Sequence, residues 1–229
     1  MNLKKSKTEF VLFGSHRKLA KTDTIEITMT GQKIVESDRY EYLGITLDKN
    51  LNLLSQFEKM YRKVSSRIKL LARVRMNISP STAETIYKVM ILPIFPYCSN
   101  ISIGISDSHK SKLEKLQNRA TRIINGHNGK ISLPSINHVR NKRCAIEVFK
   151  CLNGLAPRVL ENHFKRLDHQ KNTRGNKSNL VVPRIRTETA RKTFSYQGVQ
   201  IYNRLPPELK NENSIVRFKN KCNDFDLNF

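Results

Sequence analysis

Metal-dependent phosphoryl transfer needs carboxylates gathered tightly enough to hold two cations against a phosphate. The chain offers seven aspartates for that work: Asp23, Asp38, Asp48, Asp107, Asp168, Asp224 and Asp226. No two are adjacent, and the one close pair, Asp224 and Asp226, lies at the C-terminus, where fraying is expected. The sequence contains no phosphate-cradling G-x-x-x-x-G-K-[ST] loop, no G-x-S-x-G elbow and no H-E-x-x-H helix. No nucleophile stands with a base attached. Cys98, Cys144, Cys151 and Cys222 form no C-x-x-C pair, and the one H-x5-H spacing, His163 and His169, has no such pair to complete it, which leaves a zinc module little support. Reduced, mostly buried thiols are expected instead.

The chemistry that the residue types do offer is cationic. Forty-two Lys and Arg stand against 19 Asp and Glu, a formal net charge of +23 in 229 residues. Such an excess repels itself in a compact state unless a polyanion neutralises it, so nucleic acid is the first partner to expect. The charge is also patterned. Lys59, Arg62, Lys63, Lys69 and Arg73 fall within about a third of a helical circumference at ~100° per residue. Residues 59–76 hold seven Lys or Arg and no acid, which leaves no i to i+4 partner within that window. Lys112, Lys115, Arg119 and Arg122 repeat the device at spacings of three, four and three, relieved only by Glu114. Either stripe alone is equally well read as a solvated helix face; two together favour rails flanking one groove.

The elements that must carry these stripes are legible from periodicity. Residues 1–50 read as strands and turns forming a small, mainly antiparallel sheet: residues 10–13 are apolar, 25–29 alternate, 30–32 turn, and 40–47 are rich in aromatic and branched residues. Residues 51–76 change to helical spacing, with Leu53, Phe57, Met60, Tyr61, Val64, Ile68, Leu71 and Val74 on one side. Ser79-Pro80 opens a second helix, carrying Ile86, Val89 and Met90 before Pro93 and Pro96 end it. Further helices are expected at about 107–125, stopped by Gly126 and Gly129, at 136–152, and from Pro157 to Phe164. Residues 165–192 carry nine Lys or Arg and read as a basic linker or a segment that orders on binding. Residues 194–205 are apolar and aromatic again, and Ser214 caps a last helix. Tyr61, Tyr87 and Tyr97 read as core residues.

With the elements in place, a resemblance emerges. The run Asn2 to Gly14, NLKKSKTEFVLFG, followed by YEYLGITLD at 40–48, resembles the end of a reverse-transcriptase palm in the non-LTR, jockey-like retrotransposon polymerases. The first run is similar to motif D, with Lys7-Thr8-Glu9 its core. The second is similar to motif E, the primer grip. Further similarity continues in order at 94–98 (IFPYC), 112–124 (KLEKLQNRATRII), 151–157 (CLNGLAP), 191–196 (RKTFSY) and 202–209 (YNRLPPEL), where Tyr202 keeps an aromatic residue at a position usually Trp.

The resemblance implies an α+β chain: a small N-terminal antiparallel sheet as palm edge (1–50), a helical thumb-like domain (51–164), the basic linker (165–192) and a C-terminal helical segment (193–229). It implies that Lys7 corresponds to a lysine assisting proton transfer to pyrophosphate, that Tyr42, Leu43 and Gly44 contact the primer end, and that the rails grip a template–primer duplex of RNA or RNA–DNA. For Gly44 the residues leave two readings, close backbone approach or a plain turn glycine. The family's metal-binding aspartates would precede Asn2, so this chain is expected to hold no Mg2+, the ion its relatives use, and to have no complete catalytic site of its own. The upstream palm and fingers of a longer polymerase are then expected partners. A stand-alone nucleic-acid-binding protein, or a protein-interaction module with incidental charge, are the alternatives. No run approaches the ~18 to 20 apolar residues of a membrane span, so a nuclear or cytoplasmic place inside the cell is expected. The oligomeric state is open.

Overall fold

The structure is a computed structural model that describes residues 8–29, 31–97, 99–101, 103–126, 130–167 and 178–227. It is α+β as expected, with small two-stranded sheets first and helices after, and it divides into two compact units, Met1–Arg62 and Lys63–Phe229.

In the first unit, β1 (Glu9–Phe10) is followed by the single turn α1 (His16–Leu19), then β2 (Thr28–Met29), β3 (Gln32–Lys33), β4 (Val35–Glu36), β5 (Arg39–Tyr42) and β6 (Ile45–Asp48). The antiparallel expectation holds for β2 with β3 and for β5 with β6. It fails for β1, which pairs with β4 in parallel, and the strands form three separate ladders rather than one sheet. Two-residue strands supply too few backbone hydrogen bonds to propagate a sheet, so each pairing stays local. β5 and β6 turn through Leu43 and Gly44 at φ 48° and 77°, both left-handed, the two-residue turn whose twist matches a hairpin. Gly44 is therefore a turn glycine. Among the described residues of this unit, Ile45 and Phe57 are the buried apolar side chains.

Helix α2 (Leu54–Val74) begins where Asn52 Oδ1 accepts the Leu54 N–H at 2.8 Å. The boundary between the units falls inside it. Its buried positions Phe57, Val64, Ile68 and Leu71 follow the helical period read from the sequence. Helix α3 (Pro80–Ile86) is capped as expected, with Ser79 Oγ accepting the Thr82 N–H at 3.1 Å. It then widens into a π-helical turn, Tyr87–Ile91, and a 3-10 turn, Leu92–Ile94. Widening aligns every fourth residue, so Ala83, Tyr87, Ile91 and Phe95 are buried while Val89 and Met90, expected on the apolar side, are exposed. Tyr87 is core, its hydroxyl donating to Gln117 Oε1, and burial pushes its phenol well above the ordinary range. Tyr61 is half-buried and Tyr97 is exposed, so the core reading does not extend to Tyr97.

Helix α4 (Asp107–Asn125) and helix α5 (Ile136–Leu152) occupy the residues the periodicity gave them. Gly126, at φ 56°, ends α4 by donating to Arg122 O at 3.0 Å. Gly129 lies outside the described residues. α5 is the central helix of the second unit, buried at Ile136, Cys144, Ala145, Ile146, Val148, Phe149 and Cys151. It packs against α4, against α6 (Arg158–Glu161), which is shorter than expected, and against α8 (Phe194–Arg204) and α10 (Ile215–Asp224). Phe149 stacks on Phe218 at 4.3 Å between ring centres, and Phe164 meets Phe194 edge-on at 5.2 Å. A helix clothed on several sides has no strong polar face, which is why α5 is the least amphipathic of the long helices. Cys144, Cys151 and Cys222 are buried free thiols, and burial pushes Cys144 up to about 12.

The described part of 165–192 packs rather than hangs loose. Leu180 is buried, bridged to Arg166, and held by a reciprocal pair of bonds with the Asn203 amide at 2.7 and 3.0 Å. Lys210 Nζ, on α9 (Pro207–Lys210), bonds Asn179 Oδ1 and Asn203 O at 2.8 and 2.7 Å. Between these residues and α8 lies α7 (Glu188–Arg191). Ser214 stands at the N-cap of α10 without the expected side-chain bond; its N–H and that of Asn213 donate to Glu212 Oε1 instead. Among the described residues no helix is long and apolar enough to cross a membrane.

Candidate nucleic-acid interface

The β5–β6 hairpin is docked on the start of α2. Thr46 N donates to Gln56 Oε1 at 3.0 Å, and Glu41 pairs with Lys59 at 2.8 Å. Its tip points outward, with Tyr42 58% and Leu43 73% exposed. A left-handed, β-turn position held by leucine instead of Asn or Gly costs on the order of 1 kcal/mol, so the tip presents an apolar side chain at the expense of backbone strain. Tyr40 and Tyr42, two apart on one face of β5, line a shallow hollow of about 320 Å3 with Thr8, Glu9, Val11, Phe13 and Leu47. The fold thus gathers the two segments that the sequence singled out separately, Thr8-Glu9 and Tyr42. Lys7 lies outside the described residues. Tyr40 was not singled out; its i, i+2 relation to Tyr42 is the signal that would have found it.

The first stripe sits on α2 with Lys59, Arg62, Lys63, Lys69 and Arg73 all exposed. Leu70, itself exposed, stands among them. The expectation of no internal acid partner is corrected at two positions: Arg62 reaches Glu58 at 3.5 Å, and Lys59 pairs with Glu41. Glu58 stands one residue before the window in which no acid was counted, and Glu41 comes close only through the hairpin. Both pairs are solvent-exposed and worth little, about 0–1 kcal/mol. Among the described residues, Lys63, Lys69 and Arg73 have no acidic partner. The two remaining cations of this stretch are structural: Arg67 donates to Met90 O, and Arg75 clamps Ile124 O and Ile78 O at 2.9 and 2.8 Å.

The second stripe, Lys112, Lys115, Arg119 and Arg122, is exposed along α4 opposite the buried Leu113, Leu116, Ala120 and Ile124. Glu114, expected to relieve it, does not. It lies about 80° round the helix from the nearest stripe cation and is spent on the start of α5, accepting from Ser135 Oγ at 3.0 Å and Asn137 N at 2.9 Å. Among the described residues these four cations have no acidic partner either. The structure joins the C-terminal ends of α2 and α4 through Arg75 and Ile124, so Arg73 and Arg122 each stand two residues from that joint.

Such an arrangement can bind phosphate, by point charge at lysine and fork at arginine. Among the described residues no group of three or more His, Cys, Asp or Glu side chains gathers to hold a metal ion, so the donor set that Mg2+ would require is not assembled there.

No protein-family model and no solved structure matches this chain. Two curated relatives do. The RNA-directed DNA polymerase from mobile element jockey of Drosophila funebris is 22% identical over 168 residues, 72% of this chain and 18% of the relative. The protein of the same description from Drosophila melanogaster is 28% identical over 103 residues, 44% of this chain and 11% of the relative. The matched part is thus less than a fifth of either relative's length. Distant and partial as they are, the two matches relate this chain to the reverse transcriptases of retrotransposons.

Proposed function

We propose that the chain is a polynucleotide-gripping portion of a jockey-like reverse transcriptase, holding template–primer duplex without carrying the catalytic aspartates. The observation that carries this is the α4 stripe: four exposed cations on one face, with the nearest acid, Glu114, committed to the cap of the neighbouring helix. A face kept free of carboxylates leaves its charge available to an external anion. The hairpin tip adds a second support, because an exposed leucine in a strained turn is the kind of outlier found where backbone geometry serves contact. In this reading Tyr42, Leu43 and Gly44 rest against the primer end, Lys7 belongs to motif D, and the α2 and α4 stripes track the duplex backbone by shape and charge. The upstream palm and fingers of a longer polymerase would supply Mg2+ and the chemistry.

Fluorescence anisotropy with a short RNA–DNA hybrid tests the grip: the triple variant Lys112→Gln, Lys115→Gln, Arg119→Gln should lose at least tenfold in affinity at moderate salt. Primer extension by the chain with Mg2+ tests the division of labour. Nucleotide incorporation would overturn the non-catalytic reading.

A further inference from the structure

In the unit Lys63–Phe229 the first turn of α4, the first turns of α5 and one face of α8 enclose a cleft of about 450 Å3, inside the ~300–1,000 Å3 range of small-ligand sites. Arg140 lies in it, only 3% exposed, with Arg204 and Lys110 also lining it. The carboxylate lining it, Asp107, is already engaged by Lys110 Nζ at 2.9 Å, so the cleft is net cationic. The walls are polar but neutral. The side chains of Asn137, Tyr196 and Gln200 line the cleft and have no hydrogen-bond partner among the described residues. Half-buried amides and a phenol left uncommitted around a buried guanidinium form an unfinished hydrogen-bond network.

The set matches the parts of one nucleotide. A guanidinium suits a phosphate, side-chain amides read the edge of a base, and a tyrosine ring offers a stacking face. A small carboxylate would use the guanidinium and leave the amides and ring idle. A base inside a duplex could not enter, since its edge is paired and its faces stacked. We propose that this cleft receives one unpaired nucleotide of a single-stranded nucleic acid, with its phosphate towards Arg140, its base edge towards Asn137 and Gln200, and Tyr196 against its ring. The proposal rests on the polynucleotide-binding reading of the chain and adds a second place of contact, apart from the α2 and α4 stripes.

The test uses the full chain, fluorescein-labelled single-stranded octanucleotides, an RNA–DNA hybrid and free AMP. Arg140 is left unchanged, because removing a buried guanidinium would confound folding with binding. Asn137→Ala with Gln200→Ala, both half-buried, should keep the melting temperature while single-strand affinity falls by about tenfold or more and hybrid affinity stays within twofold. A 5-iodouridine octanucleotide should cross-link to the peptide carrying Tyr196. Unchanged single-strand affinity in the double variant, or cross-links confined to the stripe residues of α2 and α4, away from the first turn of α4, overturns the cleft while leaving the grip reading intact. Weak, salt-independent binding of both polymers sinks the grip reading and the cleft with it. Binding of AMP without the octanucleotide also overturns the proposal, since the cleft would then serve a free nucleotide.

Discussion

If the stripes bind phosphates, the salt dependence of binding counts the contacts, and the structure says which cations should be counted. Seven exposed cations have no acidic partner among the described residues: Lys63, Lys69 and Arg73 on α2, and Lys112, Lys115, Arg119 and Arg122 on α4. At about 0.9 per phosphate on duplex, all seven engaged would give a log–log slope near −6, or a loss on the order of a thousandfold to ten-thousandfold between 50 and 200 mM salt. Lys59 and Arg62 differ, because Glu41 and Glu58 stand at 2.8 and 3.5 Å and compete with phosphate for them. A single Lys69→Gln or Lys115→Gln should flatten the slope by about 1, whereas Lys59→Gln should flatten it by less than half as much. The assay is anisotropy titration of a labelled hybrid at five or more salt concentrations for wild type and each variant. A wild-type slope near zero refutes the electrostatic grip. Equal slope changes for Lys59→Gln and Lys69→Gln refute the assignment of contacts from ion pairing.

Leu43→Asn should stabilise the fold by about 1 kcal/mol in urea, because asparagine tolerates the left-handed turn that leucine strains, yet weaken hybrid binding; lower stability would show that Leu43 packs rather than contacts. The Tyr202 hydroxyl is buried without a hydrogen-bond partner among the described residues, so Tyr202→Phe should leave the melting temperature unchanged or raise it by a few degrees; a marked fall would reveal a bond to that oxygen. His138 accepts the Leu227 N–H at Nδ1, 3.2 Å away, and burial lowers its pKa from 6.5, outweighing Asp226, with Lys142 adding to the fall. The folded state therefore binds the proton less readily than the unfolded chain. Stability from this group should be full above about pH 6.5 and be lost as pH falls through the lowered value, and His138→Gln should remove that component from a pH series of urea melts.

The residues 107–125 and 136–152 announced their helices because the apolar spacing was helical throughout and, at the first, a glycine stop agreed with it, and local agreement of this kind survives any packing. The exposed stripes were legible for the same reason: the angle between side chains on one helix is a property of the helix alone. Sequence similarity alone also carried the distant relationship to retrotransposon reverse transcriptases. What the sequence left undetermined depends on distance through space. Val89 and Met90 left the core because a π-helical turn re-phased the face behind α3, a deviation that only packing around Tyr87 and Gln117 selects. Asn179 and Leu180, in a stretch whose charge suggested a linker, are held by Lys210 and Asn203 respectively, from more than twenty residues away. Glu41 and Glu114 were countable as charges, but their partners were fixed by hairpin docking and by the abutment of two helices. Local chemistry thus decided where cations stand on each helix; tertiary structure decided which of them keep their charge for something else.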